Sequence, residues 1–189
     1  PLQEKLKLPA DLSAAANPKS STGRIDVFVR AVSDRARAFD GVPAGYQGEL
    51  YAEISPRTFS VLARTGDRLL QLRVRRGPQT PVRNMTFSLD LFPTKSDIVG
   101  YRAKRHSRVI DLAAIGAHVV EDFWEPVRPR GGRIVLDPGE FYILASKEKI
   151  VIPLDETAEM APIAPELGEF RAHYAGFFDP GFGSRQIFN

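Results

Sequence analysis

The chain has 189 residues, 43% hydrophobic and 26% charged, enough for one domain or two small ones with a buried core. A net charge of +3 is too mild to mark a nucleic-acid binder. The absence of cysteine excludes disulfides, Cys-ligated zinc and thiol catalysis.

His106, His118 and His173 show none of the usual zinc spacings, so no metal site is expected on the protein itself. No apolar run reaches the ~18 residues of a membrane span. The opening Pro1-Leu2-Gln3-Glu4-Lys5 has no signal-peptide apolar region. The expectation is a soluble, cytoplasmic chain with neither membrane nor nucleic acid as partner.

In chain order, Leu2, Leu6 and Leu8 alternate loosely and stop at Pro9, which predicts a short strand. Ser13 to Ala16 has the composition of one helical turn, ended by Asn17-Pro18 because proline disfavours the α region in the residue before it. Lys19-Ser20-Ser21-Thr22-Gly23-Arg24 follows. Its cations supply charge-assisted donors and its hydroxyls neutral ones, and a turn of small residues exposes backbone N–H groups to an anion. A polar surface turn has the same composition.

Ile25, Val27 and Val29 alternate with Asp26, Phe28 and Arg30, a strand pattern. Asp40 to Gly45 is a turn-rich loop. Leu50 to Ile54 predicts a strand carrying Glu53. A carboxylate among apolar neighbours is costly unless partnered or functional, although Glu49, Tyr51 and Glu53 share one face that can simply be wet. Thr58 to Leu62, a turn at Thr65-Gly66-Asp67 and a strand from Leu69 to Val74 complete this half, with Gln71 placed to read a base or a phosphate.

Residues 78–85 read as a linker between a first domain, 1–77, and a second, 86–189. The second begins with a β-rich segment near Met85 to Leu89. Asp122 to Glu125 suits a short turn. Strands are expected at Phe141 to Ala145 and ending at Ile150 to Pro153. Short strands with Gly and Pro punctuation predict an all-β sandwich or barrel.

The halves echo one another. Leu6-Lys7-Leu8-Pro9-Ala10-Asp11 is similar to Ile150-Val151-Ile152-Pro153-Leu154-Asp155. Phe39-Asp40 with Gly45-Tyr46-Gln47-Gly48 is similar to Phe178-Asp179-Pro180-Gly181-Phe182-Gly183. This suggests a duplicated domain. The first copy reads as beginning partway through a domain and the second as stopping after its turn, as expected of part of a longer chain, with a deletion near 77–84.

Together these motifs resemble the dCTP deaminases of the dUTPase-like superfamily, and in particular the long bacterial form with two such domains. Lys19 to Arg24 resembles the family's Arg-Ser-Ser-x-x-Arg motif, with Lys in the first place. Asp40 with Gly45 to Gly48 resembles its Asp-Pro-Gly-aromatic-x-Gly turn, and Gly66 to Leu72 its Gly-Asp-Arg-x-x-Gln-Leu strand. Glu53 falls where the family carries its catalytic Glu. Gly100 to Lys104, Val109 to Leu112, Phe123 to Glu125, Glu140 to Glu148 and Gly168 to Gly183 resemble the long form. The second half has no Ser-Ser-x-x-Arg counterpart and no counterpart of Glu53.

The resemblance implies an all-β, dUTPase-like distorted barrel or jelly roll in two tandem, partial copies. It implies hydrolytic deamination of dCTP to dUTP and ammonia without zinc. Glu53 is then the general base, with Ser20 and Arg24 orienting the attacking water. Lys19 and Ser21 hold phosphates bridged by Mg2+. Asp40, Tyr46 and Gln71 contact the nucleotide, and Ala175 lines the cytosine pocket. A homotrimer with shared sites is implied as well. A dUTPase-type or bifunctional enzyme, and a nucleotide-binding domain without catalysis, are the alternatives.

Overall fold

The alternation read from Ile25 onwards is the pattern the backbone follows in the computed structural model. Described are residues 1–34, 37–77, 83–160 and 177–183. In the first half the strands are β1 (Lys5–Lys7), β2 (Leu12–Pro18), β3 (Val27–Ser33), β4 (Gly41–Val42), β5 (Gln47–Pro56), β6 (Val61–Leu62) and β7 (Leu70–Arg76). One helical turn, α1 (Ser20–Gly23), interrupts them. Val27, Val29, Ala31 and Ser33 of β3 face the core, while Phe28, Arg30 and Val32 point outward.

Two antiparallel sheets result, ordered β1–β5–β3 and β4–β2–β7. Leu8, Ala14, Val42, Tyr46 and Leu50 are buried together, with Leu2 and Leu6 packed against them. The alanine run does not form a helical turn. It is the middle strand β2, paired with β4 and over its whole length with β7. Local propensity is weak against two strand partners, and small side chains let both sheets approach. Pro18 ends the strand, where its missing N–H matters least.

The second half contains β8 (Gly100–Ala103), β9 (Ile110–Asp111), a 3-10 turn at Val120–Asp122, β10 (Trp124–Val127), β11 (Tyr142–Leu144), β12 (Ala158–Glu159) and β13 (Phe177–Phe178). β8 lies between β10 and β11, and β12 pairs with β13. Trp124 and Glu125 are strand residues, not turn residues as their sequence suggests. Met85 to Leu89 forms no strand beyond a lone bridge from Leu89 to Ser146, and Ile150 to Pro153 forms none. Ile152 is nonetheless buried, bonded through its amide to the Phe182 carbonyl. Most of the predicted linker, residues 78–82, lies outside the described residues.

The second core draws on both halves. Phe59 is buried with Ala103, Ile110 and Phe123, and Ile25, Val61, Trp124 and Phe141 pack against them. Here β6 runs parallel to β9, pairing Val61 with Ile110 and Leu62 with Asp111. The Arg64 guanidinium closes the same seam with a bidentate grip on the Asp111 carboxylate, which holds that carboxyl below its ordinary range.

Candidate functional site

Pro18 delivers the chain from β2 in an extended conformation, and Lys19 continues it (φ −62°, ψ 147°) before α1 turns. Small residues let the turn close tightly. The amides of Thr22 and Gly23 donate to the Lys19 carbonyl, and that of Arg24 to Ser20. The Leu69 carbonyl, just ahead of β7, accepts the Lys19 amide at 3.0 Å and the Thr22 hydroxyl at 3.3 Å. Thr22 is buried and acts as the anchor. Lys19 and Ser20 are half-buried, while Ser21 and Arg24 are exposed. Among the described residues, the side chains of Lys19, Ser20, Ser21 and Arg24 have no hydrogen-bond or ion-pair partner. Two cations and two hydroxyls are thus presented on a fixed backbone with their donors uncommitted.

The register of β2 with β7 sets Asn17 opposite Gln71 and Pro18 opposite Leu70, so Gln71 lies beside this turn. The Gln71 Oε1 is buried and accepts no hydrogen bond from a described residue. A buried acceptor left so is costly, and a ligand donor would relieve it.

Glu53 lies elsewhere on the molecule. It is exposed on the outer side of β5, directly opposite Arg30 of β3. Three residue steps separate that pair from Val27 and Pro56 at the α1 end of the sheet, roughly 10 Å at strand rise. No ion pair or hydrogen bond engages the Glu53 carboxylate among the described residues. Arg30 instead lies over the Phe39 ring at 4.9 Å.

Asp40 is a junction. Its amide donates to the Ala31 carbonyl, its Oδ1 accepts the Ala31 amide at 2.8 Å, and its carbonyl accepts the Ala16 amide. It adopts a left-handed φ of 64°, which Asp tolerates better than most residues. Burial pushes its carboxyl up from the ordinary value, opposed by the Ala31 amide and by Arg30. Tyr46 is buried in the first core, with its hydroxyl donating to the Glu49 carbonyl and accepting the Asp34 amide. Gly48 is required beneath that hydroxyl, because a Cβ there would lie 2.8 Å from it. Ala175 and His173 lie outside the described residues.

Sequence reasoning passed over Asp26. It is buried with a φ of 57°, its carboxylate accepts the Thr58 hydroxyl and its carbonyl accepts the Arg57 amide. This ties the exit of α1 to the chain leaving β5. An Asp at the entry to a strand was the only signal.

The described chain is an all-β, dUTPase-like fold carrying a hydroxyl-and-cation turn at the junction of two sheets. It belongs to the 2'-deoxycytidine 5'-triphosphate deaminase family: the model of that family's N-terminal domain matches residues 1–78, and that of its C-terminal domain residues 59–188. A crystal structure of 2'-deoxycytidine 5'-triphosphate deaminase from Agrobacterium tumefaciens superposes with a TM-score of 0.88 at 47% sequence identity. That match covers 95% of this chain but 59% of the other, so this chain spans a little over half of it. No curated protein sequence matches this chain.

Proposed function

We propose that this protein deaminates dCTP to dUTP, releasing ammonia. One observation carries the reading: the family's motif segment, Lys19 to Arg24, stands as a turn anchored through Thr22, on which the side chains of Lys19, Ser20, Ser21 and Arg24 have no partner among the described residues. Lys19 and Ser21 bind the phosphates and Gln71 the nucleotide beside them. The donors on this turn are cations and hydroxyls, which suit phosphate oxygens and not a bare cation. Mg2+ therefore arrives on the triphosphate and supplies charge neutralisation there.

Glu53 is the general base. It takes a proton from a water whose oxygen bonds to C4 of cytosine. It then delivers that proton to N3 of the ring. The remaining proton of the new C4 hydroxyl passes to the amino group, and the C4–N bond breaks to release ammonia as the C4 carbonyl forms. Ser20 and Arg24 orient the water and offset charge on the ring. Asp40 and Tyr46 shape the turn against which the sugar and base rest, with Ala175 on the cytosine side. Glu53 and α1 lie apart along one chain, so the reading brings Glu53 of one copy to Ser20 and Arg24 of another. That arrangement is a homotrimer, working in the cytoplasm. Among the described residues no helix is long and apolar enough to cross a membrane.

The test is Glu53→Gln in the complete protein, assayed by ammonia release. Turnover is expected to fall by at least ~100-fold with dCTP binding retained. Wild-type turnover would remove Glu53 from the mechanism. Mixing inactive Glu53→Gln subunits with inactive Arg24→Ala subunits is expected to restore part of the activity, and no recovery refutes shared sites. The similarity of Tyr46 to Leu50 to a dUTPase turn supports a second reading, a dUTPase-type or bifunctional enzyme. Pyrophosphate release from dCTP or dUTP would favour it.

A further inference from the structure

β7 presents Gln71, Arg73 and Arg75 on one face and Leu72, Val74 and Arg76 on the other. The second set is exposed and the first is half-buried. Arg73 and Arg75 of the first set are met by the second half of the chain. Arg73 donates to the Asp179 carboxylate at 3.2 Å, and its guanidinium lies 4.0 Å from the centre of the Phe177 ring. Arg75 donates to Glu159 at 3.5 Å. These partners form one unit, because Glu159 of β12 is paired with Phe177 of β13.

That unit is itself held firmly. The Gly181 amide donates to the Ile152 carbonyl, and the Ile152 amide to the Phe182 carbonyl. The Phe178 and Phe182 rings meet edge to face at 4.9 Å. A Cβ at Gly183 would lie 2.1 Å from the Ile150 carbonyl oxygen, so the turn is pressed against that segment. The turn from Phe178 to Gly183 is the one that echoes the Asp40 turn. Asp40 gives its carboxylate to the backbone of its own half, whereas Asp179 gives its carboxylate to Arg73 of the other half.

We infer that Arg73 is a positioning residue for the nucleotide site, tying the β12–β13 pair to the face of β7 that presents Gln71. The second half then serves as a strut for the site on the first. This rests on the reading of Gln71 with Lys19 to Arg24 as the nucleotide cradle. The stronger part of the tie is the stacking. The Arg73 side chain is 16% exposed, whereas that of Asp179 is 81% exposed, and an ion pair with so exposed a partner contributes little.

The test is steady-state kinetics on dCTP with the complete protein. Arg73→Ala is expected to raise KM about five-fold, the lower range of inter-site coupling, with kcat within about two-fold of wild type. Arg73→Lys keeps the charge with weaker stacking and falls between. Phe177→Leu reproduces the KM of Arg73→Ala, and the double variant is no worse than either, because both remove one contact. An unchanged KM in Arg73→Ala, or effects that multiply in the double variant, overturns the inference. Should Arg73→Ala fail to fold, Phe177→Leu decides by the same KM criterion. If Gln71→Ala and Ser21→Ala also leave KM unchanged, the cradle reading fails and takes this inference with it. If those two raise KM and Arg73→Ala does not, only the positioning role fails.

Discussion

Replacing Phe59 by Ala probes the seam between the halves. Phe59 is 2% exposed, with Phe123 edge-on at 6.0 Å and Trp124 at 5.2 Å. Truncating a buried Phe costs about 3–5 kcal/mol through lost transfer energy and the cavity left behind. Each edge-to-face contact accounts for roughly 0.5–1.5 kcal/mol of that. Against a typical total of ~5–15 kcal/mol, the loss is a large share of the stability. Trp124 is the chain's single tryptophan, so its fluorescence reports on this cluster alone. Urea unfolding followed by that signal and by far-ultraviolet circular dichroism is expected to show both midpoints fall together. Phe59→Leu keeps the bulk but loses the ring contacts, and is expected to cost about 1–2 kcal/mol. A loss below ~1 kcal/mol for Phe59→Ala, or a shift in the circular dichroism transition without one in fluorescence, would refute a shared core.

Asp40→Asn keeps the acceptor for the Ala31 amide and tolerates the left-handed backbone. The Asp40 carboxyl is raised by burial, so its contribution is intact below the unfolded value of about 4 and lost as pH rises through the raised one. The Asn variant should therefore match or exceed wild type in urea at pH 7, with the difference closing towards pH ~4. A variant less stable at pH 7 than at pH 4, relative to wild type, contradicts this. Tyr46→Phe removes the hydroxyl between Glu49 and Asp34 and should cost about 1–3 kcal/mol in the same assay, and no loss would mean that water replaces it.

Strand β3 was legible because its period is local: each second residue from Val27 to Ser33 enters the core. The strand carrying Glu53 and the one carrying Gln71 were legible on the same grounds, each longer or shifted by a few residues in the fold. The alanine run was not legible. Its composition favours a helical turn, and only the registers with β4 and β7 explain its extension. At the site, the hydroxyls and cations of Lys19 to Arg24 were evident from residue type. The Leu69 carbonyl that anchors their turn was not, since a carbonyl is common to every residue.

Residue types and spacing alone set the all-β class, ruled out thiol and Cys-zinc chemistry, and marked the turn from Lys19 to Arg24. All of these are properties of neighbours in the chain. Only the tertiary structure decided that Phe59 packs with Phe123 and Trp124, that Asp26 grips Thr58, and that Arg73 meets Asp179 and Phe177. Those pairings join segments far apart in sequence. Their energies depend on which surfaces folding brings within contact distance, which no local pattern encodes.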